Sequence, residues 1–203
     1  MIFGFYMLAA LTLFVALTGA ATAIAWTARD RWIGEPGKRA VAGGAFRSAV
    51  VSTSPRRQGR AWFVLGTAVL GIAWAILTFF FFAPAGALGG FLIGVGELGN
   101  AGHDRGFWLT LAFASISAIP LTVALVANGL VMVQRSDHAS RVGMGTAAYA
   151  ALHHGVLVAV GILYSFGDDV GDGLAPFTAI AASPGLVLAA MIAASALLAR
   201  RDV

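Results

Sequence analysis

The stretch from Phe107 to Val133 reads FWLTLAFASISAIPLTVALVANGLVMV, and it decides the class of fold. Its 27 residues include no aspartate, glutamate, lysine or arginine. An α-helix rises 1.5 Å per residue, so this stretch is about 40 Å long as a helix. That length exceeds the hydrocarbon core of a bilayer, which is about 30 Å thick. The stretch therefore predicts a transmembrane helix.

The composition of the whole chain favours the same class. Of the 203 residues, 59% are hydrophobic and 11% are charged, and the mean hydropathy is +0.86. Soluble domains carry about 25% charged residues. Because the chain has too few charges to cover a water-facing surface, we expect an integral membrane protein.

Four further apolar runs reach the length of about 20 residues that a helix needs to cross a membrane. None of the five runs contains Asp, Glu, Lys or Arg. The sequence therefore predicts an all-α membrane protein, with residues 1–203 in one bundle of five transmembrane helices. The predicted spans, numbered in chain order, are Ile2–Trp26, Trp62–Pro84, Phe107–Val133, Gly145–Gly167 and Leu174–Ala199.

The basic residues predict the orientation of these spans. Eight of the thirteen lysines and arginines lie between Arg29 and Arg60, and such clusters are retained on the cytoplasmic side of the membrane. We therefore expect loop 27–61 to be cytoplasmic, the N-terminus outside and the C-terminus inside, in a bacterial inner membrane. The net charge of +4 is then a topology signal, and we expect no nucleic-acid partner.

The other connections agree with this orientation. The turn at 134–144 and the C-terminal tail carry arginines, whereas the two remaining loops are poor in basic residues. Their charged residues are Glu97, Asp104 and Arg105 in the first loop and Asp168, Asp169 and Asp172 in the second. Residues 21–23 read Ala-Thr-Ala, which is typical of a signal-peptide cleavage site. No basic segment precedes the first apolar run, however, so we interpret that run as a retained span.

Two connecting segments have additional features. Residues 85–102 contain eleven apolar residues, GALGGFLIGVG, which are too few to span a bilayer. They predict an external interfacial or re-entrant segment. The basic loop predicts either contact with anionic lipid headgroups or a solvated segment that only sets the topology. The arginines available for headgroup contact are Arg47, Arg56, Arg57 and Arg60.

Spans two and three can be aligned with spans four and five. Leu65–Phe80 matches Leu152–Phe166 in rough register, and spans three and five share a central proline and a basic exit. The pattern predicts a duplicated two-helix hairpin related about an axis along the membrane normal. A chance match between alanine-rich segments is the alternative. Pro120 and Pro184 each remove a helix hydrogen bond and predict a bend.

Span four carries two adjacent histidines within YAALHHGVLVAVGILY, from Tyr149 to Tyr164. Successive helical residues point about 100° apart, so His153 and His154 cannot face one site from a straight helix. His153 shares a face with Tyr149. His154 lies on a face of small residues, which lets a neighbouring helix approach closely.

Other polar residues are predicted at a similar depth in the membrane. Counted from the cytoplasmic ends of the spans, Thr18, Thr67 and Asn128 lie about 7–12 Å inside, and the histidine pair lies about 12 Å inside. A buried imidazole needs partners for its N–H and its lone pair. We therefore expect a polar belt around the histidines in the inner half of the bundle, formed by Thr18, Thr67, Asn128 and Tyr149.

The histidine pair has three interpretations. In the first, one or both side chains bond Asn128, a threonine or a backbone carbonyl and tie helices together. In the second, His153 or His154 ligates haem b or a metal, since imidazole is their commonest ligand. The second haem ligand would come from another protomer, Met132 or Met191. In the third, the pair belongs to a small channel or transporter, although no charged residue lies in any span to relay a proton.

Two fragments resemble the MotA/TolQ/ExbB proton-channel family. VLGTAVLGI at Val64–Ile72 is similar to its Leu-Gly-Thr-Val-x-Gly-Ile run, and SAIPLTVALVAN at Ser117–Asn128 to its Ala-Ile-Pro followed by Asn. The order of a first span, a cytoplasmic segment and a span pair is also similar. The chain departs from the family in the spacing within both fragments, a short cytoplasmic segment, two further spans and no acidic residue opening span three. No functional residue is therefore transferred.

Taken together, these patterns favour a structural or accessory subunit of a membrane assembly, without a catalytic centre of its own. We expect its partners to be the lipid bilayer and either other membrane subunits or further copies of the chain. A redox or metal-handling protein that binds through the histidines is the first alternative. A channel or transporter subunit is the second.

The predicted orientation is testable because the chain has no cysteine. We expect a membrane-impermeant maleimide to label the Asp169→Cys variant in intact cells, because the acidic loop should face outward. The Ser52→Cys variant should react only after the cells are opened. Labelling of the Ser52→Cys variant from outside would reverse the topology.

Overall fold

The regular structure in the computed structural model is helical throughout the residues that it describes. A short helix, α1, covers residues 18–29 and precedes four long helices. These are α2 (Pro55–Gly94), α3 (Arg105–Gln134), α4 (Ala139–Tyr164) and α5 (Leu174–Arg201). The residues described are 12, 15–16, 18–29, 55–94, 105–134, 136–166 and 174–201; within the long helices, side chains are described at 58–79, 106–134, 139–164 and 175–200.

Four of these helices are long and apolar enough to cross a membrane. Their candidate spans are Gln58–Phe79, Gly106–Gln134, Ala139–Tyr164 and Ala175–Arg200. The chain is therefore a multi-pass integral membrane protein, as its composition predicts. The first predicted span is described only in part, with α1 at its C-terminal end, so its crossing of the membrane stays a prediction. The orientation of the bundle also stays a prediction.

The helices are longer than the spans predicted from hydropathy. Helix α4 begins at Ala139, six residues before the predicted start at Gly145, and therefore includes Arg141. Helix α2 has 40 residues, which corresponds to a length of about 60 Å. Hydropathy locates the part of a helix that lies in hydrocarbon, whereas backbone hydrogen bonding continues into the interfacial region. Predicted spans two and three are therefore the central parts of longer helices, span five begins with α5 at Leu174, and the predicted end of span four at Gly167 lies beyond the end of α4 at Tyr164.

The predicted interfacial or re-entrant segment begins as a continuation of α2. Residues 85–94 are helical and follow the second span without a break. Residues 95–102 lie outside the described residues. The position of this extension relative to the membrane stays a prediction.

Helix α2 packs along α3 in an antiparallel pair. The hydroxyl of Thr122 donates to the carbonyl of Ala75 over 3.4 Å. Seven residues later on α3, Gly129 lies against Ala68, whose carbonyl oxygen would be 3.3 Å from an added Cβ. As α3 advances, its contacts therefore move back along α2, which is the geometry of a helical hairpin.

Helix α4 packs along α5 in a second antiparallel pair. At one end, a methyl group on Gly143 would be 2.7 Å from the Cβ of Ala196. At the other end, a methyl group on Gly161 would be 2.7 Å from the backbone nitrogen of Ala179. Glycine thus brings these helices close together at both ends. The two pairs have the arrangement of the predicted hairpins, while a common sequence origin stays a prediction.

Both predicted helix-bending prolines lie inside continuous helices, Pro120 in α3 and Pro184 in α5. Proline has no N–H, so Pro184 leaves the carbonyl four residues earlier, that of Ile180, without its helical donor. The hydroxyl of Ser183 donates to this carbonyl over 2.9 Å. A serine hydroxyl can therefore replace the missing donor where water is excluded. The degree of bending stays a prediction.

Three apolar clusters follow one another along the bundle. We call them the turn-end cluster, next to the α3–α4 turn, the middle cluster and the far-end cluster. Alanines 25 and 28 of α1 pack into the turn-end cluster. Large members are Leu65 and Met132 in the turn-end cluster, Leu121, Leu125, Leu188 and Ile192 in the middle cluster, and Phe107, Leu111 and Leu157 in the far-end cluster.

Substitution of Gly161 tests the close α4–α5 contact. We expect Gly161→Ala to destabilise the detergent-solubilised protein by about 2 kcal/mol, because the new methyl group meets backbone atoms that cannot rotate away. Gly145→Ala, on the same helix, is the matched control because nothing lies within 4 Å of its Cβ position. The control should be neutral or stabilising by up to about 1 kcal/mol through helix propensity. Equal unfolding midpoints for the two variants would contradict the packing.

Candidate functional site: the histidine pair

The two adjacent histidines of α4 point toward different helices. His153 Nδ1 lies 2.8 Å from Ser117 Oγ of α3, whereas His154 Nε2 lies 2.9 Å from Trp74 Nε1 of α2. The ring centroids are 5.0 Å apart, and the ring planes are inclined at 75°. The expected divergence of about 100° therefore directs the rings to separate partners.

The hydrogen bonds of His154 determine its tautomer. An indole N–H can only donate, so Nε2 of His154 must accept the bond from Trp74 and carries no proton. A backbone carbonyl can only accept, so Nδ1 must donate to the carbonyl of Ala150, 2.8 Å away. His154 is therefore a neutral imidazole with both ring nitrogens engaged. Its side chain has no exposed surface, which makes both bonds important for stability.

Helix α5 passes directly beside the His154 ring at Gly185. A Cβ atom added there would overlap ring atoms of His154. The glycine therefore allows the backbone of α5 to lie against the imidazole. This contact accounts for a glycine directly after Pro184, within a helix where glycine is otherwise unfavourable.

His153 belongs to a second group of hydrogen bonds, which centres on Ser117. The Ser117 hydroxyl lies within hydrogen-bond distance of two groups, the carbonyl of Ala114 at 3.0 Å and His153 Nδ1 at 2.8 Å. Tyr149, one turn before His153, donates its hydroxyl to the carbonyl of Ser117 over 2.9 Å. One face of α4 therefore holds both the backbone and the side chain of Ser117.

The predicted polar belt is distributed over several parts of the bundle. Tyr149 lies beside His153 in the Ser117 group. Thr67 and Asn128 are buried, each with 1% exposure, and neither makes a described hydrogen bond with a histidine. Thr18 is in α1, where its carbonyl accepts a bond from the hydroxyl of Thr22.

Two partners of the histidines, Trp74 and Ser117, were not predicted. Trp74 lies in the middle of span two, whereas interfacial tryptophans are found at span ends. An indole N–H in that position needs an acceptor, which is a signal that the sequence contains. Ser117 has no comparable signal because it is one of several small hydroxyl residues on α3. Its role depends on the register between α3 and α4.

The site has few groups that could hold a cofactor. Among the described residues, no group of three or more His, Cys, Asp or Glu side chains is arranged to hold a metal ion. Ligation through His154 Nε2 would have to replace the bond from Trp74. Of the predicted headgroup-binding arginines, Arg60 is exposed on α2. Arg47 and the side chains of Arg56 and Arg57 lie outside the described residues.

No known protein family matches this chain, and no curated protein or solved structure is significantly similar to it.

Substitution of Trp74 tests the bond to His154. We expect Trp74→Phe to destabilise the protein by about 1–3 kcal/mol, because it leaves a buried acceptor without a donor. Trp62→Phe makes the same chemical change at a partly exposed ring and should change stability by less than about 0.5 kcal/mol. The measurement is equilibrium unfolding in mixed micelles.

A double-mutant cycle then separates the hydrogen bond from the lost ring volume. In the His154→Leu background the acceptor is gone, so Trp74→Phe should cost less than it does in the native chain. An identical cost in both backgrounds would show that the bond contributes nothing.

Proposed function

We propose that the protein is a structural or accessory subunit of a membrane assembly in a bacterial inner membrane, without a catalytic centre of its own. The observation that carries this proposal is the engagement of both His154 ring nitrogens by Trp74 and Ala150. A histidine held in this way connects helices and fixes their spacing. The contacts of His153 with Ser117 serve the same purpose on the other side of α4.

The outward surface of the bundle is compatible with this role. Helix α3 has only 33% of its most apolar window buried, compared with 50% for α2. Its outer face carries large apolar side chains that are more than half exposed. They can contact lipid or an adjacent subunit, and they include Phe113, Ile116, Ile119 and Val123.

Haem or metal binding is the alternative that the histidines themselves suggest. When the Nδ1–H of His153 is directed to Ser117, Nε2 carries the lone pair, and metal-ligating histidines are commonly oriented by such a bond. The neighbouring imidazole is committed to Trp74. Any ligation through His154 would therefore compete with a bond that stabilises the bundle.

A visible absorption spectrum and an elemental analysis of the purified protein distinguish these functions. We expect no Soret band and no stoichiometric metal in protein extracted from its native membrane with mild detergent. A Soret band that disappears in the His153→Ala or His154→Ala variant would overturn the proposal. A band that survives both substitutions would place the haem elsewhere in the chain and would also overturn it.

The size of the native particle tests the assembly itself. We expect native mass spectrometry to find the chain in a particle of fixed stoichiometry, with other polypeptides or further copies. A particle that contains a single 20.8-kDa chain would contradict an accessory or structural role in an assembly.

A further inference from the structure

Five buried side-chain oxygen atoms have no hydrogen-bond partner among the described residues, and three of them lie close together on three helices. These three are Oγ1 of Thr67 on α2, Oδ1 of Asn128 on α3 and Oγ of Ser195 on α5. Each residue is only 1% exposed. An unsatisfied polar group costs about 1–3 kcal/mol when it is buried, so three such atoms need an explanation.

The three residues lie at one level of the bundle. Gly129, next to Asn128, packs against Ala68, next to Thr67. Asn128 Oδ1 is 3.2 Å from the Cβ position of Gly143 on α4, and the same position faces Ala196, next to Ser195. The contacts of Gly143 place parts of α3, α4 and α5 at the same level, and the contact of Gly129 with Ala68 adds α2. We call Thr67, Asn128 and Ser195 the polar layer.

Two of these side chains lie on helix faces that are directed into the bundle. Thr67 is two turns before Trp74 on the same face of α2, and Trp74 reaches across to His154 of α4. Ser195 is one turn after Ile192 on α5, and Ile192 belongs to the middle cluster together with Ala75 of α2. Thr67 therefore lies on the side of α2 that faces α4, and Ser195 lies on the side of α5 that packs into the middle cluster.

The hydroxyls of the polar layer differ from others in these helices. Serine and threonine in a helix commonly donate to a carbonyl three or four residues earlier. Thr122 donates in this way to Ala118, and Ser183 to Ile180. The hydroxyls of Thr67 and Ser195 have no such bond. Asn128 Oδ1 can only accept a hydrogen bond, so it needs a donor from another group.

The chemistry of the layer favours a small neutral ligand that can both donate and accept. The candidate spans contain no Asp or Glu that could neutralise a bound cation, and an uncompensated charge is expensive in a membrane interior. A water molecule can donate to Asn128 and also bond the two hydroxyls. Buried waters typically make about three hydrogen bonds, which equals the number of oxygen atoms here.

We propose that the polar layer binds an ordered internal water that links α2, α3 and α5 through Thr67, Asn128 and Ser195. The turn-end cluster covers the layer on one side with Leu65 and Met132, and the middle cluster covers it on the other. The water is therefore a buried structural component of the bundle. It adds an interhelical link that lies nearer the α3–α4 turn than the histidine pair does.

Asparagine-selective labelling gives a direct test, because the chain has only two asparagines, Asn100 and Asn128. In full-length protein labelled with ¹⁵N-asparagine, we expect a cross-relaxation peak between water and the side-chain amide of Asn128. The Asn100→Asp variant assigns the two amide signals. Absence of the water peak in the native chain would overturn the proposal.

Two variants test whether the water depends on the other members of the layer. In the double variant Thr67→Val with Ser195→Ala, which retains Asn128, the water peak should fall at least several-fold. Thr78→Val is the matched control, because Thr78 is equally buried and also lacks a partner but lies eleven residues from Thr67, about 16 Å along α2. An unchanged peak in the double variant would overturn the proposal. The single Ser195→Ala variant provides a milder version if the double variant does not fold.

Replacement of the salt distinguishes water from a cation. The melting temperature should be the same in equal concentrations of sodium, potassium and choline chloride. A rise that is specific to sodium or potassium and is lost in the Thr67→Val variant would identify a cation site and overturn the water.

Discussion

The absence of water from the membrane interior is the constraint on which this structure depends. A polar group within a span must find its partner in the protein or in an ordered internal water. The backbone meets this requirement by forming helices, and Ser183 supplies a donor to the carbonyl that Pro184 leaves open. His154 meets it with two bonds of fixed direction, from Trp74 and to Ala150. The satisfaction of polar groups therefore links helix formation to helix packing.

The adjacent histidines connect α4 with every other long helix. Because neighbouring residues on a helix diverge by about 100°, His153 reaches Ser117 of α3 while His154 reaches Trp74 of α2. The same His154 ring lies against Gly185 of α5. Two consecutive residues thus contribute to contacts with three helices. Two residues spaced by a full turn would lie on one face of α4 and would point in the same direction. This arrangement gives the pair a structural explanation that requires no cofactor.

Hydropathy was sufficient to predict the membrane class and the approximate position of four spans. It underestimated helix length, most clearly in α2, because this helix begins within the polar residues 55–61 and continues through Pro84 to Gly94. The divergence of His153 and His154 followed from helical geometry alone. A backbone carbonyl was among the expected partners, and Ala150 supplies one to His154, whereas Asn128 lies against Gly143. Trp74 and Ser117 were identified only when the register between helices was known.

The sequence by itself determined that the chain forms long helices with uncharged central segments in a membrane, because length and hydropathy are properties of each segment alone. It also determined that span four presents one imidazole to each of two directions. Only the tertiary structure decided which helices receive them, because a shift of one residue between neighbouring helices would bring a different side chain to the same place. The neutral tautomer of His154 and the clustering of Thr67, Asn128 and Ser195 at one level both follow from that register.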